Sequence, residues 1–128
     1  DVVATIGDST FYHGGIPGLL NAVYNDADTT IVVLDNQVTA MTGHQPNPST
    51  GWTATETDAE RIPIEDIAEA AGADYVDVVV PYDLESVEET LQAAKDTKGV
   101  SVVVARAPCV LFKQEHGERL AAIENQEV

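Results

Sequence analysis

Cysteine occurs once in these 128 residues, at Cys109. No disulfide can close within the chain, which fits a reducing compartment, and the cytoplasm is the expected location. No Cys-x-x-Cys spacing exists, so these residues cannot hold an iron–sulfur cluster. Cations are scarce too: 6 Lys and Arg stand against 22 Asp and Glu, a formal net charge of −16. Without a basic patch to replace counterions, nucleic acid is excluded as a partner, and so are anionic membrane surfaces. No apolar run approaches the ~18–20 residues that span a bilayer. The chain opens at Asp1, one residue before a strand-like run, with no Met and no signal peptide. It reads as a single domain, residues 1–128, cut from a longer protein.

The acids are dispersed rather than gathered in a tail. Glu65, Asp66 and Glu69 alternate with Ile64, Ile67 and Ala68, and Glu85, Glu88 and Glu89 sit beside Leu84, Val87 and Leu91. This pattern places acids on the outer faces of amphipathic helices. The balance has two readings, ordinary acidic solubility and adaptation to a salt-loaded cytoplasm. The second is the expectation, because at molar salt the Debye length is about 3 Å and self-repulsion is screened.

Short β-branched runs alternate with helical patterns. Strands are expected at Val2–Ile6, Thr30–Leu34, Tyr75–Val80 and Val100–Ala105. Helices are expected at Ile16–Asn25, from Pro63 to Ala71 with Gly72 as stop, from Leu84 to Asp96, and at Gln114–Ile123. Val78–Val80 reads as apolar on both faces. The alternation predicts an α/β fold, a parallel sheet with helices on both faces. Residues 37–60 show no periodicity, and a loop that long is functional or disordered.

Asp8 and Asn36 are the most informative pair. Each closes a strand-like run, and they stand 28 positions apart with one helix-sized segment between. A βαβ unit puts both strand ends at one edge of a parallel sheet, the edge where open α/β sheets bind ligands. A carboxylate and an amide oxygen there suit a hard cation bridging to phosphate, above all Mg²⁺. A carbonyl just beyond, such as that of Val38, could be a third ligand. Gly7 allows close backbone approach, and N–H groups at the turn can face an anion. A plainer reading also stands: Asp8 caps a turn and Asn36 forms an Asx-turn.

The next segment resolves the choice by resemblance. Thr39-Ala40-Met41-Thr42-Gly43-His44-Gln45-Pro46 follows Asn36, after Gly7-Asp8-Ser9-Thr10-Phe11 and Gly15-Ile16-Pro17-Gly18-Leu19. Together these runs resemble the diphosphate-binding domain of thiamine diphosphate-dependent 2-oxoacid:ferredoxin oxidoreductases, most closely the α subunits of the indolepyruvate branch. The general signature of thiamine enzymes is Gly-Asp-Gly and, after 20-odd residues, Asn-Asn; here Ser9 and Asp35 take the third and fourth of those positions. The likeness is dense over residues 1–50 and looser through Ala105–Cys109.

The resemblance implies a thiamine diphosphate-binding fold. Asp8, Asn36 and the Val38 carbonyl would bind Mg²⁺, Gly7, Ser9 and Thr10 would contact the diphosphate, and Ala40, Met41 and Thr42 would line the cofactor channel. His13, His44 and Gln45 would be the polar groups nearest the reacting carbon. The implied reaction is oxidative decarboxylation of an indolepyruvate-like 2-oxo acid to acyl-coenzyme A, with electrons passing through iron–sulfur clusters outside these residues to ferredoxin. The implied partners are a pyrimidine-binding domain, which supplies an activating Glu, and a β subunit. A fragment of this kind would be inactive alone.

Other expectations are structural. Cys109 reads as a buried thiol, His116 as a surface residue, Trp52 as a loop anchor or a ring that faces a substrate or partner domain, and Pro46 and Pro48 as loop stiffeners. Three rival functions stand: a non-redox thiamine enzyme such as a 2-oxoacid decarboxylase or acetolactate synthase, a nucleotide- or phosphate-binding regulatory domain, and a structural half-domain.

Overall fold

Val100–Arg106 forms a strand whose first five residues are buried, as a run of valines enclosed on both faces must be. This strand, β4, organises the computed structural model, which describes residues 2–127. β1 (Val2–Gly7), β2 (Thr29–Asp35) and β3 (Tyr75–Val79) join it in one sheet, ordered β1-β2-β4-β3. Every pairing is parallel, and the registers set Gly7 beside Leu34 and Asp35 beside Arg106. The carboxyl ends of three strands therefore meet at one edge.

The connections are helical. After β1 come a short helix α1 (Asp8–Thr10), a π turn (Phe11–Gly15) and α2 (Ile16–Tyr24). α3 (Ile64–Ala71), α4 (Leu84–Asp96) and α5 (Val110–Glu127) follow in order. Gly72 ends α3 with φ +95°, a conformation that favours glycine. Asp83 caps α4 by accepting the Ser86 N–H at 3.1 Å.

Both faces of the sheet carry helices, unequally. On one face Phe11, Leu19, Ile64 and Ala68 pack over Val33, Val100, Val102 and Val104. On the other, α4 covers Val79 and Val103 through Ala94 and Val87. The β1–β2 half of that face stays open, a groove of about 540 Å³ lined by Val2, Val3, Thr5, Thr30, Val32 and Leu91. The acids of α4, Glu85, Glu88 and Glu89, lie outward as expected.

Several local expectations need correction. Helical structure begins at Asp8, not Ile16. A π turn carries the chain through Tyr-His-Gly-Gly and buries Phe11 against the core. β3 stops at Val79, and Val78 and Val80 are exposed because β3 is an edge strand. α5 spans Val110–Glu127 rather than Gln114–Ile123 and bends at His116, where φ is −124° and ψ 20°. Residues 37–60 are ordered by short bridges between Thr39 and Gln45 and between Trp52 and Asp58.

That segment owes its order to a second small core. Trp52 stacks on Phe112 with centroids 5.5 Å apart, Leu120 and Val38 close around them, and the Arg119 guanidinium lies 4.2 Å over the indole. Trp52 thus anchors the loop by packing. His116 is not a free surface residue: its ring lies 4.7 Å from that of Phe112. Cys109 is half-buried rather than buried, with Sγ 4.0 Å from His44 Nε2.

Candidate metal and diphosphate site

Gly7 ends β1 and caps α1 without any side-chain hydrogen bond. With no side chain at Gly7 to cap the turn, the Asp8 carboxylate takes the Ser9 N–H itself, as an anion at a helix start is expected to. The Gly7 backbone is ordinary (φ −77°, ψ 159°), and no atom of the chain stands within 4 Å of where its Cβ would be. Nothing inside this chain demands glycine there; open space above the turn is what a Cβ would fill.

Asp8 follows, 3% exposed. Its Oδ2 accepts the Asn47 Nδ2–H at 3.0 Å. Its Oδ1 faces Asn36 at the tip of β2. The Asn36 carboxamide can sit in two ways. With nitrogen inward it donates to the Val38 carbonyl at 2.7 Å and to Asp8 Oδ1 at 3.1 Å, and the three groups satisfy one another. With oxygen inward, the same position sets acceptor against acceptors, a repulsion that a cation would relieve. Neighbouring ligand oxygens of an octahedral Mg²⁺, bonded at 2.0–2.1 Å, are about 2.9 Å apart. The spacings of 2.7 and 3.1 Å bracket that value. This donor set of carboxylate, amide oxygen and backbone carbonyl fits a hard divalent ion. Among the described residues no three His, Cys, Asp or Glu side chains converge on a metal, so mixed oxygens are the donors available. The Asx-turn reading also has a basis, since the Val38 N–H points to Asn36 Oδ1 over 3.4 Å.

The surroundings are strongly polar. Burial raises the Asp8 carboxyl above the usual carboxylate range and the charge of Asp35 adds to this, against the lowering effect of the Asn47 bond. Asp35, 1% exposed, accepts from Ser49 Oγ at 2.8 Å, from the Gln37 N–H at 3.1 Å and from Arg106 Nε at 2.8 Å. Arg106 in turn grips both oxygens of Glu65, at 3.0 and 2.6 Å. Burial alone would raise Glu65, but this two-point pairing outweighs it and holds the carboxyl below its ordinary value. The amphipathic pattern places Glu65 on an outer helix face; it turns inward because the Asp35–Arg106 pair is there to meet it. Tyr12 is pushed up by burial and by Asp35, and its hydroxyl donates to the Ile62 carbonyl.

The structure gathers some of the expected residues and disperses others. Gly7, Asp8, Asn36 and Val38 come together. Ser9 joins them through Thr39, whose hydroxyl donates to Ser9 Oγ at 3.0 Å. Thr10 is exposed one position further on. Residues 39–45 close into a tight turn, with Thr39 and Gln45 exchanging backbone bonds of 2.9 and 3.2 Å. That turn carries Met41, 98% exposed, and Thr42 at its tip. Gln45 spends its side chain on the turn, donating to the Thr42 carbonyl at 2.8 Å. Ala40 packs toward Trp52, and His44 lies against Cys109 and Phe112. His13 is exposed on the π turn.

Asn47, Ser49, Asp35, Arg106 and Glu65 join the site only through the fold. The one available signal is the Pro46-Asn47-Pro48 run, in which flanking prolines stiffen the position that reaches Asp8.

Comparison with known proteins agrees with this geometry. The family described as thiamine pyrophosphate enzyme, C-terminal TPP binding domain, matches residues 1–105. The chain is 60% identical over 112 residues to indolepyruvate oxidoreductase subunit IorA of Thermococcus kodakarensis, covering 88% of this chain and 17% of that one. It is 49% identical over 111 residues to the Archaeoglobus fulgidus subunit of the same name, covering 87% and 18%. The chain therefore spans under a fifth of the length of these relatives. They come from thermophilic archaea and lend no support to a halophilic origin. Two solved structures share the fold: a thiamin diphosphate-dependent enzyme from Mycobacterium smegmatis (TM-score 0.61, 24% identity, 84% of this chain and 18% of that one) and the 4-hydroxybenzoylformate decarboxylase of Rhodococcus jostii (TM-score 0.64, 20% identity, 84% and 20%). With the family profile running from β1 almost to the end of β4, across both strand tips that carry Asp8 and Asn36, this chain belongs to the C-terminal TPP-binding domain family of thiamine pyrophosphate enzymes.

Proposed function

We propose that this chain is the diphosphate-side domain of a thiamine diphosphate-dependent indolepyruvate:ferredoxin oxidoreductase, part of a longer polypeptide, acting in the cytoplasm. The observation that carries the cofactor assignment is the meeting of Asp8, Asn36 and the Val38 carbonyl beside the open turn at Gly7. The 60% identity to a subunit named for indolepyruvate supports the substrate class.

Asp8, Asn36 and the Val38 carbonyl would hold Mg²⁺, with the open space above Gly7 and the groups of Ser9 and Thr10 receiving diphosphate oxygens. Ala40, Met41 and Thr42 would meet the thiamine from the turn that carries them. An almost wholly exposed methionine is available for such a contact. His13, His44 and Gln45 are proposed as the polar groups toward the reacting carbon. When bound, the cofactor supplies a thiazolium that acts as the electron sink for decarboxylation. A pyrimidine-binding domain, a β subunit, coenzyme A, ferredoxin and the iron–sulfur clusters complete the proposal from outside these residues. Among the described residues no helix is long and apolar enough to cross a membrane.

An anaerobic assay of the full-length protein with its partner subunit tests this. With indolepyruvate, coenzyme A, thiamine diphosphate and Mg²⁺, reduction of ferredoxin is the expected result. Carbon dioxide release without acceptor reduction, from a protein free of iron, would identify a non-redox thiamine enzyme instead.

The acidic surface carries a separate proposal, salt-adapted stability, resting on the net charge of −16 alone. Raising KCl from 0.1 M to 2 M is expected to raise Tm by at least ~4 °C, about 1 kcal/mol or more for a domain this size. An unchanged or lower Tm in calorimetry would leave ordinary acidic solubility as the explanation.

A further inference from the structure

The two oxygens of Asp8 are not equivalent. Oδ1 faces Asn36, while Oδ2 accepts from Asn47 Nδ2 at 3.0 Å. The Asn47 carboxamide has only one orientation available, because its Oδ1 already accepts the Ser49 N–H at 2.8 Å. Its nitrogen must therefore point to Asp8. The Asn47 backbone is held as well: its N–H donates to Thr50 Oγ1 at 3.0 Å, and that hydroxyl donates to the Gln37 carbonyl at 2.6 Å. Asn47 is 8% exposed, and prolines flank it on both sides. It is a rigid, buried donor trained on one oxygen of one carboxylate.

Mg²⁺ and Ca²⁺ differ in what they ask of a carboxylate. Mg²⁺ takes single oxygens at 2.0–2.1 Å in a strict octahedron, whereas Ca²⁺ takes 6–8 oxygens at 2.3–2.6 Å and accepts both oxygens of one carboxylate. A carboxylate whose one oxygen is held by a rigid donor turns that oxygen away from the ion and presents the other, here Oδ1, to it. We propose that Asn47 is a specificity-determining positioning residue, which by occupying Asp8 Oδ2 confines Asp8 to one-oxygen coordination and biases the site toward Mg²⁺ over Ca²⁺. This rests on the metal site proposed above.

The test is calorimetric titration of the full-length protein with MgCl₂ or CaCl₂ at fixed thiamine diphosphate. In Asn47→Leu, Asp8 can present both oxygens. Mg²⁺ affinity is expected to fall ~10- to 100-fold, the range typical for a lost outer-shell partner, with a smaller loss for Ca²⁺. The ratio of the Ca²⁺ and Mg²⁺ dissociation constants should then drop several-fold, by the Mg²⁺ loss divided by the smaller Ca²⁺ loss. Should the leucine variant fail to fold, Asn47→Ala carries the same expectation. Ser49→Ala removes the loop's bond to Asp35 and leaves Asn47 Nδ2 in place, so it should not move the ratio. Equal weakening of both ions by the Asn47 variant, or the same shift in ratio from Ser49→Ala, would overturn the proposal. A wild-type protein with no cofactor-dependent divalent binding would overturn both this proposal and the metal site beneath it.

Discussion

Asp8→Asn is expected to abolish Mg²⁺-dependent binding of thiamine diphosphate by the complete enzyme, a loss above ~100-fold and larger than that of an outer-shell partner. The side chain keeps its shape and can still accept from Asn47, so the fold has no reason to fail. What disappears is the only carboxylate in the donor set, and with it the charge that attracts the ion. In the absence of metal the same substitution should stabilise the protein, by about 1 kcal/mol, because a neutral amide avoids the desolvation of a buried carboxylate and repulsion from Asp35. The pH dependence follows from the raised Asp8 carboxyl. A group raised in the folded state stabilises fully below its unfolded value, 3.8, and that contribution is lost as pH rises through its folded value. The metal-free parent should therefore lose stability over a pH range above 3.8 in which the Asn variant does not. Isothermal calorimetry for the cofactor and thermal denaturation without metal are the two measurements. Retained cofactor affinity in Asp8→Asn, or in Asp8→Ala, would defeat the metal assignment.

Arg106→Leu is expected to destabilise the protein by ~3–5 kcal/mol, the range for removing one partner of a buried ion pair. Arg106 is the cation between Asp35, whose side chain is fully buried, and Glu65, whose side chain is 24% exposed. Leucine fills much of the volume but leaves the Asp35 carboxylate with hydroxyl and amide donors only. The effect should shrink in acid. Glu65 is held below its ordinary value of 4.5 by Arg106, so its contribution is present above that value and lost as pH falls through the lower folded one. The variant has no such contribution to lose. Urea denaturation of both proteins between pH 7 and pH 3 checks this, and a gap that stays constant over that span would remove Glu65 from the account. Because Asn36 adjoins Asp35, the variant should also weaken metal binding, through the backbone rather than through any lost ligand.

The alternation of strands and helices was legible because it is written locally. Val100–Ala105 reads as a buried strand from its valines alone, and Gly72 marks the end of α3 from its need for positive φ. The pairing of Asp8 with Asn36 was legible for a related reason: a parallel βαβ unit has one hand and one edge, so two strand-closing residues must come near each other. The π turn was not legible, since Tyr-His-Gly-Gly has no helical signature and is held by Phe11 in the core. Nor was the fate of residues 37–60, whose order depends on Trp52 meeting Phe112 from a helix far along the chain.

The same division runs through the site. Residue order by itself settled that a carboxylate and a carboxamide would close adjacent strands, because hydrophobic period and strand-end chemistry act between near neighbours. Only the folded chain decided what surrounds them. Asn47 reaches Asp8 from 39 positions away, and Arg106 reaches Asp35 from 71. Contacts of that span depend on the path of a loop and the register of a sheet in three dimensions, and no local period encodes either.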